Sequence, residues 1–365
     1  MARETKRQKS KRRSPQPIDP ISIGNSIGKK NKITLAFVAL GGIVTVIVGV
    51  MLAGYSYLNY RFVKAGDSAE PQPIVFTVPR GAGMSRIAAD LESQGLIDSA
   101  FIFKAVTRLR KVDNTLKAGE YSLDPNGSME DVFTILSEGK ALLYPVTAPE
   151  GLTSAQFFKI IASAPNLTGE MPEPVPEGVL LPETYMTPRG MSREALIAKM
   201  RSSQSAYIDA LWDGRADDLP FKTKREAIIL ASVVEKETGV NSERGLVAGV
   251  FVNRLKRGIR LQSDPTIIYG ITKGEKLGRG IRVSEIARKT DWNTYQMDGL
   301  PKTPICNPGG AAIAAVLNPM QTDMIFFVTD GSGGHVFSKT NAEHEKYVRA
   351  LRAREKAAKR AAQQR

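Results

Sequence analysis

Glu235 and Glu237 close an otherwise apolar segment of this 365-residue chain, and acid–base chemistry is most readily written there. Thr223 and Glu226 have the spacing of a capping box, and Ala227-Ile-Ile-Leu-Ala-Ser-Val-Val234 follows at once, so the segment reads as a helix. It is apolar nearly all round, which places it inside a domain. Gly239 is expected to end it, just past the C-terminus. Carboxylates at i and i+2 on a helix point about 200° apart at roughly 100° per residue, so only one of them can face a given cleft. Glu237 continues the stripe of Leu230, Val233 and Val234, whereas Glu235 follows the smaller Ala231 and Ser232. Apolar surroundings raise a carboxyl pKa, and the negative end of the helix dipole pushes the same way. A carboxylic acid still protonated near neutral pH is what a glycosidic general acid needs. The alternative is a pair of surface groups engaged with Lys236 or Arg244.

Other reactive residue types are scarce. His335 and His344 are the only histidines and Cys306 the only thiol. Zinc usually needs three or four protein ligands, so no metal site is expected, and one cysteine permits no intramolecular disulfide. Asp330-Gly-Ser-Gly-Gly334 separates Ile325–Thr329 from His335–Ser338. With no Lys-Ser/Thr and no helix to follow, these glycines read as a hairpin turn rather than a phosphate loop. Gln262 and Asp264 lie beyond Gly258 in a turn closed by Pro265. Asp264 is either a second catalytic carboxylate, as in a hydrolase, or an Asx-turn cap on Pro265-Thr266.

The charge is concentrated at the ends. Of the net +14, residues 1–32 supply +8, from ten bases against Glu4 and Asp19. The run from Lys346 to Arg365 adds +7, from eight bases against Glu355, and charge runs of this kind read as solvated and disordered. The near-neutral middle has no basic stripe interleaved with aromatics, which argues against a nucleic-acid partner. No charged residue lies between Lys32 and Arg61. Ile33 to Ala53 can cross a hydrocarbon core of roughly 30 Å as one helix, with Tyr55, Tyr57 and Tyr60 as an interfacial belt. The run exceeds a signal-peptide core of roughly 7–15 residues and no clear cleavage site follows, so a retained anchor is expected. Bases precede the span, which puts the N-terminus in the cytoplasm and the remainder across the membrane.

Residues 54–74 read as a linker. Val75–Val78 reads as a strand, the stretch from Ser85 as a helix stopped by Gly95, 99–110 as a second helix and Leu116–Leu123 as a strand. Ser128 with Asp131 caps one more helix. This strand–helix–helix–strand order over 75–142 resembles a LysM-like module, a fold often used to hold peptidoglycan sugars. Gly81-Ala82-Gly83 replaces its usual opening, so a plain spacer is the alternative. A larger region, 143–347, mixes helices with a few strands, and 348–365 is a basic tail. The fold class is therefore α+β behind a single membrane helix.

Residues 231–238 (ASVVEKET), 241–244 (NSER), 251–255 (FVNRL) and 261–270 (LQSDPTIIYG) resemble the YceG-like (MltG) endolytic murein transglycosylases. The pattern continues in order through 292–295 (WNTY), 299–301 (GLP), 307–309 (NPG), 330–335 (DGSGGH) and 337–344 (FSKTNAEH), with 119–121 (GEY) and 182–185 (PETY) upstream. The catalytic acid of that family is the Glu directly before Thr, which matches Glu237. The resemblance implies cleavage of the MurNAc–GlcNAc bond within glycan strands to leave 1,6-anhydro ends, with no cofactor or metal and with Glu235 in support. Gln262, Asp264, Tyr269, Asn293, Tyr295 and His335 are the expected sugar contacts, since amides bond hydroxyls and rings stack on pyranose faces. The implied partners are glycan strands, the inner membrane and penicillin-binding synthases. A non-catalytic wall-binding scaffold and a hydrolase using Glu237 with Asp264 are the rival readings.

Overall fold

A computed structural model of the chain describes residues 24–66 and 72–363. The basic segment through residue 23, residues 67–71 of the expected linker and the last two residues of the tail lie outside the described residues. The fold mixes helices with short two-stranded sheets and divides into two compact units.

The first unit opens with α1, Gly24–Val63, whose stretch Leu35–Val63 contains an 18-residue window of mean hydropathy 2.7 and is long and apolar enough to cross a membrane. Its apolar side chains from Leu35 to Leu52 are exposed, as a lipid-facing surface would be. The helix does not stop at residue 53, and the first ten residues expected as linker are helical. The reason is packing at its end. Phe62 is fully buried against Phe103 and Phe133, with ring centroids 5.9 and 6.5 Å away. Arg61 pairs with Asp98 at 3.2 Å, and Arg110 reaches both Asn59 and Glu130. In the same unit α2 (Met84–Ser93) buries Ile87, Ala88 and Leu91, the face its periodicity marks. Ser99 caps α3 (Ala100–Leu109) by accepting from the Ile102 N–H. The first turn of α4 (Met129–Glu138) carries the reciprocal Ser128–Asp131 box.

The second unit contains β1 (Ile74–Val78) and β2 (Gly119–Leu123), paired antiparallel with Ile74 opposite Leu123. Antiparallel β3 (Leu143–Thr147) and β5 (Thr184–Pro188) cover a core of Phe157 and Ile161 from α5 (Ser154–Ser163) and Leu196 and Met200 from α6 (Arg193–Trp212). Two-residue strands β4 (Leu167–Thr168) and β6 (Met191–Ser192) pair in parallel beside it. The larger core is helical. It is built from α7 (Lys224–Glu237), α8 (Arg244–Lys256) and α11 (Gly310–Leu317), with Leu230, Val233, Val247, Phe251, Ile313 and Val316 all 1% exposed or less. Helices α9 (Asp264–Thr272) and α10 (Val283–Ala287) and the hairpin β7 (Phe326–Thr329) with β8 (His335–Ser338) complete it.

The basic C-terminal run is exposed, as expected, but helical rather than disordered. It continues as α12, Asn341–Gln363, opened by a Thr340–Glu343 capping box and carrying a Glu345–Arg349 pair one turn apart. Its alanines and arginines are strong helix formers, and their intrinsic preference outweighs the repulsion among the bases.

One buried amide joins three loops of the second unit. Asn307 is fully buried; its Oδ1 accepts from the Gly178 and Leu180 N–H groups at 3.0 and 3.1 Å, and its Nδ2 donates to Ser154 Oγ at 3.1 Å. Replacement by alanine orphans two buried donors. Asn307→Ala is therefore expected to lose about 2–4 kcal/mol in denaturant unfolding, against under ~1 kcal/mol for an exposed asparagine such as Asn341.

Candidate active site

Helix α7 is held on every side from Ala227 to Val234, so its last turn has a fixed rotation. The turn ends without a left-handed glycine. Thr238 is extended (φ −134°, ψ 129°), its N–H returns to the Val234 carbonyl, and its hydroxyl accepts from the Val240 N–H at 3.0 Å. Gly239 has no positive φ, so the expected glycine stop is replaced by a buried threonine that turns the chain by side-chain hydrogen bonding.

Glu237 is the last helical residue. It is half-buried, facing a cavity of about 430 Å³ that it shares with Arg254, Gln262, Asp264, Tyr295, Phe326 and His344. Ser263 Oγ donates to Glu237 Oε1 at 2.5 Å. Burial pushes the Glu237 carboxyl up to about 7, and the charge of Asp264 adds to that rise. The Ser263 hydrogen bond and the charge of His335 pull in the opposite direction and are outweighed. Asp264 does not cap a turn. It is the first residue of α9, with Pro265 inside the helix start, and its Oδ1 accepts from the Tyr295 hydroxyl at 2.7 Å. That hydrogen bond is tied to a phenol whose pKa burial and Asp264 both raise.

Glu235 points away from this cavity. It lies 3.5 Å from the buried Arg244 guanidinium and accepts from the Gly309 N–H at 3.0 Å. Burial raises its pKa despite both contacts. His335 sits beside the cavity wall rather than in it: its Nδ1 is 2.7 Å from Glu243 Oε2 and its ring stands edge-on to Phe327.

The other expected sugar contacts divide. Gln262 and Tyr295 line the cavity, as Asp264 does. Asn293 does not: it is 1% exposed, and its Nδ2 donates to the carbonyls of Glu285, Ile286 and Arg288. Its Oδ1 accepts from the Tyr295 N–H, so it shapes the loop that presents Tyr295. Tyr269 is a core residue packed edge-on against Trp292, 5.6 Å between centroids, and borders a different cavity with Lys236 and Ile268. Both polar side chains are spent on structure, which spacing alone does not reveal.

Residue typing misses Ser263, Arg254, Phe326 and His344. For Arg254 a signal exists in the chain. Val247, Phe251 and Arg254 fall at i, i+4 and i+7 of α8, so an arginine lies on the buried stripe. Ser263 has no such signal, because a serine before Asp-Pro reads first as a turn former.

The described residues thus form a mixed α+β chain with one apolar helix of span length and a raised carboxyl that ends a buried helix at a cavity. The chain belongs to the YceG-like family, whose model matches residues 76–350. It is 28% identical over 351 residues to proteins named endolytic murein transglycosylase from two Streptococcus pneumoniae strains, a match covering 82% of this chain and 62% of each relative. The chain thus spans less than two thirds of the length of those relatives. A Bacillus subtilis protein of the same name is 26% identical over 308 residues, covering 74% of this chain and 84% of that one. A crystal structure of a yceG-like protein from Listeria monocytogenes is 27% identical, covers 76% of this chain and 99% of its own, and aligns with a TM-score of 0.46.

The raised carboxyl sets a pH signature for stability. A folded-state pKa of about 7 above an ordinary 4.5 means that the folded protein holds the proton more tightly than the unfolded chain. The associated stability is complete below pH 4.5 and is lost as pH rises through 7. Relative to Glu237→Gln, whose amide does not titrate, the parent is expected to lose on the order of 1–3 kcal/mol between pH 4.5 and 8. Paired unfolding curves at the two pH values check this; a parent–variant difference independent of pH means that the carboxyl is not raised.

Proposed function

We propose that this chain cleaves the glycosidic bond between N-acetylmuramic acid and N-acetylglucosamine inside peptidoglycan strands by transglycosylation, with Glu237 as acid and then base. The observation that carries this reading is a single carboxyl held near neutrality at the mouth of a cavity, at the end of a helix that cannot rotate. The names borne by relatives at 26–28% identity support the choice of peptidoglycan as substrate.

In the proposed reaction the Glu237 carboxylic acid gives its proton to the oxygen that leaves muramic acid C1, and an oxocarbenium-like state develops. The carboxylate so formed takes the proton from the C6 hydroxyl of the same sugar as that oxygen attacks C1. One C–O bond breaks, one forms, Glu237 is regenerated and no water is consumed. A pKa of about 7 suits both halves, because a group used as acid and as base works best near the operating pH. Ser263 would accompany Glu237 through both protonation states. Gln262, Asp264 and Tyr295 are proposed to contact sugar, and Glu235 to support the helix end through Arg244.

Asp264 shares the cavity with Glu237, which keeps a hydrolytic reading in view. Its hydrogen bond from Tyr295 favours an orienting role over that of a nucleophile. In the proposed topology α1 spans the inner membrane with its N-terminus in the cytoplasm, and the region 143–347 works in the periplasm beside peptidoglycan synthases. The strand–helix–helix–strand stretch over 75–142 is proposed as a LysM-like glycan-holding module.

Purified sacculi digested by the parent are expected to yield internal cuts ending in anhydromuramic acid, one water lighter than hydrolytic products. Glu237→Gln, folded by circular dichroism, is expected to lose about 10³–10⁴-fold in rate, while Glu235→Gln loses less. Reducing ends from the parent would instead favour hydrolysis with Asp264, and no cleavage at all would favour a wall-binding scaffold. For topology, an alkaline phosphatase fused after residue 72 is expected to be active, and activity there from a reporter confined to the cytoplasm contradicts the orientation.

A further inference from the structure

Arg254 carries a charge that no carboxylate of the cavity pairs with. Its residue is 6% exposed, yet among the described residues it forms no ion pair with a carboxylate. Its Nε donates to the Arg260 carbonyl at 2.8 Å and its Nη1 to the Ile325 carbonyl at 3.1 Å, while Nη2 donates to Gln262 Oε1. A guanidinium has five N–H donors, so two are left over. All three acceptors are neutral, and burial works against the cation. A buried charge held only by neutral groups is costly unless something anionic completes it. A second polar group in the same wall is also incomplete. His344 of α12 stacks on Phe326 at 5.1 Å, and its Nδ1 is buried with no hydrogen-bond partner among the described residues. The Arg254 guanidinium lies over that same Phe326 ring, 5.5 Å from its centroid. Arg254 and His344 therefore border one ring in the cavity that holds Glu237.

We propose that Arg254, with His344 beside it, forms an anion subsite that takes a carboxylate of the muramoyl unit being cleaved. This rests on the peptidoglycan reading above and adds to it a requirement for negative charge on the substrate. The carboxylate belongs either to the lactyl group, free once the peptide is removed, or to the stem peptide. A planar guanidinium is suited to either, because it can meet both carboxylate oxygens at once. The arrangement also accounts for Gln262. As a neutral amide it orients Arg254 without spending the positive charge, and a glutamate at that position would occupy the subsite from within.

The test uses full-length Glu237→Gln in detergent, which binds strands without cutting them. Two strand preparations serve as probes, one bearing stem peptides and one stripped by an amidase so that lactyl carboxylates are free. Each is compared with a copy whose carboxylates are converted to methylamides. Native strands of at least one preparation are expected to bind roughly 10–100-fold more tightly than their amidated copy. The preparation that shows the preference identifies the source of the carboxylate. Adding Gln262→Glu is expected to reduce the preference to within about twofold, and this variant leaves the carbonyl braces of Arg254 in place. Equal affinity for native and amidated strands overturns the proposal without reference to any variant. A preference that survives Gln262→Glu also overturns it, since it would then reflect general attraction to a chain of net charge +14. Parent digests run alongside report cleavage separately, so a failed lytic activity and a failed subsite remain distinct results.

Discussion

The second unit is organised around a helix that is dry on all sides until its final turn. From Ala227 to Val234 no residue of α7 is more than 7% exposed, and α8 and α11 pack against it. A helix so enclosed cannot rotate or slide without opening voids in a closely packed interior, where each lost methylene is felt. Its capping box fixes the start, and the pair formed by Glu235 with Arg244 and the Gly309 N–H fixes the end. A Cβ at Gly309 would lie 1.9 Å from Glu150 Oε1, so a side chain there would displace the half-exposed end of Glu150. With one carboxylate of the last turn committed to that brace, the other is directed to the opposite side by helix geometry alone.

The acidity of Glu237 is then a balance between opposing neighbours. Withdrawal from water is the largest effect and Asp264 reinforces it, while Ser263 and the His335 charge resist. The residues around these neighbours hold the balance in place. Tyr295 donates to Asp264, Asn293 fixes the Tyr295 backbone, and Glu243 grips His335 through both its backbone and its ring. Thus Asn293, which faces none of the cavity, still acts on the acid through two intermediaries. A carboxyl held by strong donors in water settles low, as Glu285 does at about 2 beside the Arg279 guanidinium and the Arg282 N–H.

Local rules carry a good part of this fold in the amino-acid order. The Thr223–Glu226 box, the face of α2, the Ser128–Asp131 cap and the hairpin around Asp330–Gly334 all follow from neighbours within a few residues, and the structure has each of them. The facing of Glu237 follows from helix angle, because the helix is buried and regular. What spacing does not show is where long-range partners draw off a polar group. Asn293 and Tyr269 look like sugar contacts only until the carbonyls of 285–288 and the Trp292 ring are placed beside them. Gly239 looks like a helix stop until Thr238 is found buried with its hydroxyl already engaged. The C-terminal run looks disordered if its charge alone is counted. Its Thr340–Glu343 box and its alanines indicate a helix, and the helix wins.

The placement of α12 gives that helix a second consequence. Asn341, His344 and Val348 recur at helical spacing and line the cavity, while the bases beyond them, such as Arg352 and Arg354, stay exposed. One face of α12 therefore belongs to the site and the rest carries positive charge outward. A cavity that buries an arginine without an ion pair and borders a cationic helix carries positive charge in one wall, beside the carboxyls of Glu237 and Asp264. Positive charge there favours the ionised form of Glu237, and the loss of water outweighs it. The acid is accordingly raised by burial in a region whose longer-range charge would lower it. The two influences differ in reach: desolvation acts only at the carboxyl, whereas the field of α12 extends about a Debye length, roughly 8–10 Å, into solvent. The difference in range lets positive charge act outward from one wall of the cavity while burial keeps the Glu237 carboxyl raised.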